Sequence, residues 1–196
     1  MIIPLPCVII AGGKSSRMGS DKALLPFGGF KTLTEYQIQH HLSGFQSLYV
    51  SCKDRSKFDF EADFIEDVKT FDAYSPLVAL YSIMMALETS ICVLSVDTPF
   101  VTSDIYEKMY EMLDHDSDTV IARVGERTQQ LCAIYSRSLL PKIEKNLNNN
   151  QHKIQNLFEG STIKYCDMED ETPFLNLNRK EDYQHALALL NESYHD

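Results

Sequence analysis

The sequence predicts an α/β protein: a three-layer sandwich around a mainly parallel central sheet. Three observations carry that prediction. Short apolar runs of strand length alternate with helix-period segments along the chain, the pattern of βαβ units. The clearest run, residues 91–96, is apolar almost throughout, as a strand covered on both faces must be. Residues 5–10 form another apolar run, which stops at Gly12-Gly13 as a buried parallel strand would.

In chain order, residues 5–10 are the first strand. Residues 32–43 read as a helix from Leu33, Tyr36, Ile38 and Leu42, with Gly44 at the expected C-terminal cap. Residues 48–52 form a second strand, and Phe64-Ile65 closes a weaker third. Residues 76–87 form an apolar helix with Pro76 in its first turn, where a missing N–H is tolerated. After the strand at 91–96, residues 103–114 form an amphipathic helix with Thr102 or Ser103 as N-cap. Residues 119–122 and 131–135 read as strands, 138–147 as a helix, and Asn148-Asn149-Asn150-Gln151 as a surface loop. Residues 163–166 are a further strand. Asn178-x-x-Glu181 is a capping box opening a last helix that runs through Leu190. No internal repeat, low-complexity block or linker interrupts the chain, so a single domain spanning 1–196 is expected.

Composition excludes several classes. A chain of 196 residues that is 44% hydrophobic and 23% charged is neither a disordered tail nor a disulfide miniprotein. Its net charge of −10 repels a phosphate backbone, so no nucleic-acid polymer is expected as partner; one nucleotide in a local basic pocket is compatible. No run approaches the roughly 20 apolar residues of a bilayer span. Met1-Ile2-Ile3-Pro4 lacks the basic flank of a signal peptide. The five cysteines are odd in number and dispersed without a C-x-x-C pair, which points to reduced thiols and a cytoplasmic setting. His40 and His41 are neighbours in a predicted helix and face different ways, so they do not make a shared metal site.

In parallel sheets ligands bind beyond the carboxyl ends of the strands, so the loops there concentrate the chemistry. The loop after the first strand holds five of the chain's eight glycines within residues 10–29, with Lys14, Arg17 and Lys22. Glycines let the backbone approach a bulky anion, while Arg17 offers a planar fork of donors and Lys22 a compact charge for phosphate oxygens. Two familiar nucleotide motifs are absent. Gly13-Lys14-Ser15 imitates the end of a P-loop, but Val8 stands where that motif needs glycine, and Gly12 is followed by Lys14 rather than by the glycine of a dinucleotide fingerprint. The loop after the strand at 91–96 begins Asp97-Thr98-Pro99-Phe100. Hard Mg²⁺ is held by one or two carboxylates plus substrate phosphates, a role that suits Asp97 at the mouth of the crevice.

The stretch Ile10-Ala11-Gly12-Gly13-Lys14-Ser15-Ser16-Arg17-Met18-Gly19-Ser20-Asp21-Lys22-Ala23-Leu24-Leu25-Pro26-Phe27 resembles the signature of the molybdopterin guanylyltransferase (MobA) family of nucleotidyltransferases. Asp97-Thr98-Pro99-Phe100 resembles that family's metal-binding motif, and Asn176-Leu177-Asn178 its Asn-x-Asn motif. The double glycine and the Asp21-Lys22 pair resemble the guanylyltransferase branch more than the cytidylyltransferase branch. Arg127-Thr128-Gln129-Gln130-Leu131 resembles a family segment in which proline usually stands at the place of Gln130. The chain departs from the family at Ser75-Pro76-Leu77-Val78-Ala79, where the family usually carries Gly-Pro-Leu-x-Gly. The base pocket is therefore expected to differ there.

The resemblance implies a Rossmann-like, nucleotide-diphospho-sugar transferase-like fold, with a nucleotide-binding half over about 1–100 and an acceptor-binding half over about 101–196. It implies transfer of GMP from GTP to the terminal phosphate of Mo-molybdopterin, with Mg²⁺ as cofactor. Ile10, Ala11, Gly12 and Gly13 would contact GTP, Arg17 and Lys22 would neutralise its phosphates, and Asp97 would hold the metal. Ser51 and Asp67 would contact guanine and ribose, and Asn176 and Asn178 the acceptor. Transient contact with molybdenum-cofactor carrier or target proteins is also implied. The same features suit a cytidylyl- or sugar-phosphate nucleotidyltransferase, or a nucleotide- or cofactor-binding module without catalysis.

Overall fold

A computed structural model describes residues 1–12, 21–71 and 75–193 of the chain. Among them one seven-stranded sheet runs in the order β3-β2-β1-β4-β6-β5-β7. The strands are β1 (Ile3–Ile10), β2 (Phe45–Cys52), β3 (Phe64–Glu66), β4 (Ile91–Ser95), β5 (Thr119–Val124), β6 (Arg127–Tyr135) and β7 (Ile163–Met168). The helices are α1 (Leu33–His41), α2 (Pro76–Leu87), α3 (Ser103–Met112), α4 (Leu140–Asn148) and α5 (Lys180–Ser193). No helix among the described residues is long and apolar enough to cross a membrane.

The period-2 geometry of strands sorts their side chains into two cores. Cys7 and Ile9 of β1, Cys92 and Leu94 of β4, and Cys132 and Ile134 of β6 face one layer, with α1, α3 and α5. The alternate residues, Val8, Ile10, Ile91, Val93, Ala133 and Tyr135, face α2 and α4. That is the expected three-layer sandwich, and its strands are apolar on both faces because both are covered.

The sheet is parallel except at β6, which runs against both β4 and β5. Residues 119–122 and 131–135, read separately as strands, are parts of one hairpin turning through Gly125 (φ +56°) and Glu126. The register jumps from Ile121↔Ala133 to Ala122↔Gln129, so β6 bulges over residues 130–132. The bulge re-aims the strand, and Tyr135 ties it by donating its hydroxyl to the Gln130 carbonyl at 2.8 Å.

Two caps differ from the sequence reading. Helix α1 ends at His41, and Gly44 has no left-handed backbone; a Cβ there would lie 2.6 Å from Ser103 Cβ, so glycine is required by close approach to α3. At the start of α5 the acid that accepts backbone bonds is Asp182, not Glu181. Its Oδ2 accepts from the N–H groups of Asn178 (3.1 Å) and Arg179 (2.8 Å). The Asn178 side chain is thereby released for another partner. Pro76 stands in the first turn of α2 as expected, and Ser75, not read as a cap, provides it: its Oγ accepts from the Val78 N–H at 3.2 Å.

Candidate active site

Strands β1 and β4 are neighbours, yet the chain leaves β1 toward β2 and reaches β4 only after β3. The crevice beyond their carboxyl ends is the switch point where open α/β sheets bind ligands. Two loops meet there. A short 3-10 turn (Lys22–Leu24) begins with Asp21 as N-cap and is pinned from below by Thr34 of α1, whose hydroxyl donates to the Ala23 carbonyl at 2.8 Å. Opposite, the chain leaves β4 through Asp97. Ser95 Oγ donates to Asp97 Oδ1 at 2.6 Å.

Lys22 Nζ lies 3.0 Å from Asp97 Oδ2 and 2.6 Å from Asn178 Oδ1. The lysine and aspartate side chains are only 15% and 18% exposed. Their attraction is therefore less screened than that of a surface pair. Asn178 arrives because the preceding residue is anchored in the same place: the Leu177 N–H donates to the Asp97 carbonyl at 2.9 Å. From α5, the Tyr183 hydroxyl donates to the Pro26 carbonyl, holding that helix against the loop that follows Lys22. Three segments far apart in sequence thus converge on one ammonium.

Two supporting residues were not singled out by the sequence. Gln37, fully buried in α1, donates its amide to the carbonyls of Val96 (3.4 Å) and Thr98 (3.0 Å), on either side of Asp97. Lys57 donates to the Ala11 carbonyl at 2.9 Å and to Asp21 Oδ2 at 2.7 Å. The only sequence signal for Gln37 is an amide on a helix face otherwise turned to the core; Lys57 gives none.

A pocket of about 280 Å³ opens beside the Lys22–Asp97 pair. Ile10, Ala11, Gly12, Ser75, Pro76 and Ala79 line it together with Asp67 and Lys53. A Cβ on Gly12 would lie 3.8 Å from Lys53 Cγ, an ordinary contact, so the protein's own packing does not demand glycine there. Ser75 and Ala79 stand where the resembling family has glycines; Ser75 has an ordinary extended backbone and Ala79 lies within α2. Asp67 is 9% exposed, and among the described residues its Oδ1 has no hydrogen-bond partner. Burial raises its carboxyl to about 6, against a partial lowering by Lys53. A second, wider cleft adjoins on the β6 side, shared through Ser95, Asp97 and Leu131 and bounded by Arg127, Asn176 and the bulge.

The predicted residues are placed as follows. Ile10, Ala11, Gly12, Lys22, Asp67 and Asp97 line the pocket, and Asn176 the wider cleft, where its amide donates to the Phe174 carbonyl at 3.0 Å. Asn178 joins Lys22. Gly13 and Arg17 lie outside the described residues. Ser51, expected to contact guanine or ribose, differs: it lies inside β2, is 1% exposed, and is not among the residues lining either cavity. The reason is that β3 pairs with β2 as far as Cys52, so Ser51 sits one residue inside the ladder. Its carbonyl accepts from the Ala11 N–H at 2.8 Å, and Lys53 takes the place at the pocket wall.

No group of three or more His, Cys, Asp or Glu side chains with metal-ligand spacing exists among the described residues. Asp97 Oδ2 and Asn178 Oδ1 nevertheless already converge on a cation, the Lys22 ammonium. Hard oxygen donors with one carboxylate fit Mg²⁺, which takes few protein ligands and the rest from phosphate and water.

A doubly wound sheet with a facing lysine and aspartate beside a pocket at its switch point is an arrangement suited to binding a phosphorylated ligand, and comparison with known proteins places the chain in a nucleotidyltransferase class. The chain belongs to the MobA-like NTP transferase domain family, whose model matches residues 7–165. A molybdenum cofactor guanylyltransferase of Campylobacter jejuni is 39% identical over 181 residues, covering 92% of this chain and 94% of that protein. A probable molybdenum cofactor guanylyltransferase of Aquifex aeolicus is 31% identical over 189 residues, covering 94% and 91%. The crystal structure of molybdopterin-guanine dinucleotide biosynthesis protein A from Archaeoglobus fulgidus matches with a TM-score of 0.84 at 20% identity, over 96% of this chain and 100% of that one. That likeness establishes the fold.

Proposed function

We propose that the protein transfers GMP from GTP to the terminal phosphate of Mo-molybdopterin, releasing pyrophosphate. The observation that carries this reading is the convergence of Lys22, Asp97 and Asn178, with Asp97 lining both the smaller pocket and the wider cleft. It is supported by relatives named molybdenum cofactor guanylyltransferases over almost the whole chain.

GTP would occupy the smaller pocket, its base toward Asp67 and its phosphates along Gly12 and Lys22. Gly13 and Arg17 would complete the phosphate contacts, as the signature implies. The acceptor would lie in the wider cleft against Asn176, with its phosphate brought past Asn178. Attack on the α-phosphorus forms one P–O bond as the bond to pyrophosphate breaks. The attacking phosphate is already ionised near neutral pH, so the chain supplies no general base; it positions the reactants and neutralises charge. Lys22 would leave Asp97 for the phosphate oxygens, and Ser95 would keep the Asp97 carboxylate oriented. Mg²⁺ held by Asp97 would stabilise negative charge on the phosphates.

In this reading the first hundred or so residues are the nucleotide half and the remainder the acceptor half. A cytoplasmic setting belongs to it too; all five cysteines are buried and unpaired, as a reducing compartment permits. Pyrophosphate release is the test, measured with GTP, CTP or UTP, Mg²⁺ and Mo-molybdopterin. Release selective for GTP is expected; selectivity for CTP or UTP, or no release with a competent acceptor, overturns the assignment.

A further inference from the structure

The glycine-rich signature is entered from Ala11-Gly12 and left through Asp21-Lys22. On one side β1 ends at Ile10, and the Ala11 N–H is taken by the Ser51 carbonyl at 2.8 Å. On the other, Asp21 caps the turn that carries Lys22: its Oδ1 accepts from the Ala23 N–H at 3.1 Å and its backbone carbonyl from the Leu24 N–H at 3.1 Å. Lys57 joins the two sides. Its Nζ reaches the Ala11 carbonyl at 2.9 Å and Asp21 Oδ2 at 2.7 Å, with side chains 22% and 31% exposed for Lys57 and Asp21. The ammonium also lies 4.8 Å from the centre of the Phe58 ring, which shields it from one side. Lys57 itself is set by a short 3-10 turn, Arg55–Lys57, whose N-cap Asp54 accepts from the Ser56 N–H at 2.8 Å.

We propose that Lys57 is a positioning residue that ties Asp21 to the end of β1 at Ala11 and so fixes the turn that delivers Lys22. Both Asp21 oxygens are used, Oδ1 for the cap and Oδ2 for Lys57, so one carboxylate transmits the clamp to the residue after it. The inference rests on the reading of this pocket as the nucleotide site. A pair with this much exposure adds little to global stability, so its use lies in local order. A Lys22–Leu24 turn without this tie would have to be fixed by the ligand, which lowers apparent affinity.

Lys57→Met keeps the stem and removes the charge. Two readouts are measured: amide exchange at Ala23 and Leu24, and the GTP dependence of pyrophosphate release. Exchange at these two amides is expected to accelerate about tenfold, the scale of a lost charge-assisted bond, while amides of β1 and β4 are unchanged. The KM for GTP is expected to rise about tenfold with a smaller change in kcat. Lys57→Arg, which keeps two-sided donation, should restore most of both. In the pairing with Asp21→Asn, the double variant should be no worse than the poorer single one. Unchanged exchange at Ala23 and Leu24 in folded Lys57→Met overturns the clamp; changed exchange with an unchanged KM, or additive defects, overturns its positioning role. If the wild type does not use GTP, the functional reading fails, while exchange still decides whether the clamp exists.

Discussion

Asp97 carries two loads, since its Oδ1 is held by Ser95 and its Oδ2 by Lys22. Asp97→Asn preserves size and one oxygen but removes the charge. Such a variant should fold, yet be about 1–3 kcal/mol less stable in urea titrations, because a mostly buried ammonium loses its counter-charge. Pyrophosphate release should fall roughly 10²-fold or more and require more Mg²⁺. Unchanged Mg²⁺ dependence in a folded protein removes the metal role. Asp67 makes a different prediction. Its folded carboxyl titrates near 6, above its ordinary 3.8, so the folded state binds more protons than the unfolded state between those values. Its contribution to stability is therefore present at low pH and lost as pH rises through about 6. Asp67→Asn should match wild type in stability at pH 4 and exceed it at pH 8; equal stability at pH 8 would exclude burial as the cause. Lys22 and Asp97 were legible because residue type, glycines and an apolar strand lie within a few positions of each. Lys57 and Gln37 were not, because each bonds backbone carbonyls, which every residue possesses, 46 and 61 positions away.

Helix α2 was legible to its last residue because its apolar run starts at Pro76, tolerated in a first turn, and ends at Leu87, where Glu88 closes the helix in the left-handed region (φ 53°). The β5–β6 hairpin was not. Three bulged residues break the pairing period, so its two arms look like separate strands, and direction cannot be read from apolar character alone. Gly44 was read as a cap and is instead a contact point between α1's exit and α3. Gly44→Ala should therefore cost about 1–3 kcal/mol, as overpacking does, in a thermal or urea melt. Ser103→Gly, which removes the Cβ that lies 2.6 Å from the built one, should recover most of that loss. A loss that Ser103→Gly leaves in place would mean that the backbone, and not the side-chain contact, requires glycine.

Over the whole molecule, acid stability is set by opposing groups. His41, buried among α1, Phe45 and the apolar layer, is lowered to about 4, first by burial and then by His40. Here the unfolded state binds the extra proton, so stability is full above about 6.5 and is lost as pH falls toward 4. Asp54, Asp114, Asp167 and Asp170 all have lowered carboxyls, chiefly through hydrogen bonds to Ser56, Lys164, Arg123 and Thr172 respectively, and they act in the same direction at lower pH. Asp67 acts oppositely. In stability profiles between pH 6.5 and 4, His41→Leu should therefore flatten the acid decline relative to wild type, and Asp67→Asn should steepen it. Identical profiles for the two variants would show that neither buried group governs this window.

The bond from Lys22 to Asn178 joins residues 156 positions apart, and Asp97 stands between them at 75. On a ribosome that separation is also an interval of time. Both partners of the ion pair leave the exit tunnel long before the asparagine that completes their triangle. Strands β1 to β4 and the pocket wall at Ser75 can assemble early. Asn178, and the α5 tyrosine that bolts the loop at Pro26, arrive only near the end of synthesis. A nascent chain thus has most of the pocket lining before it has the segment that brings Asn178 to Lys22. Topology alone keeps the Asn178 amide from the Lys22–Asp97 pair until translation has passed it.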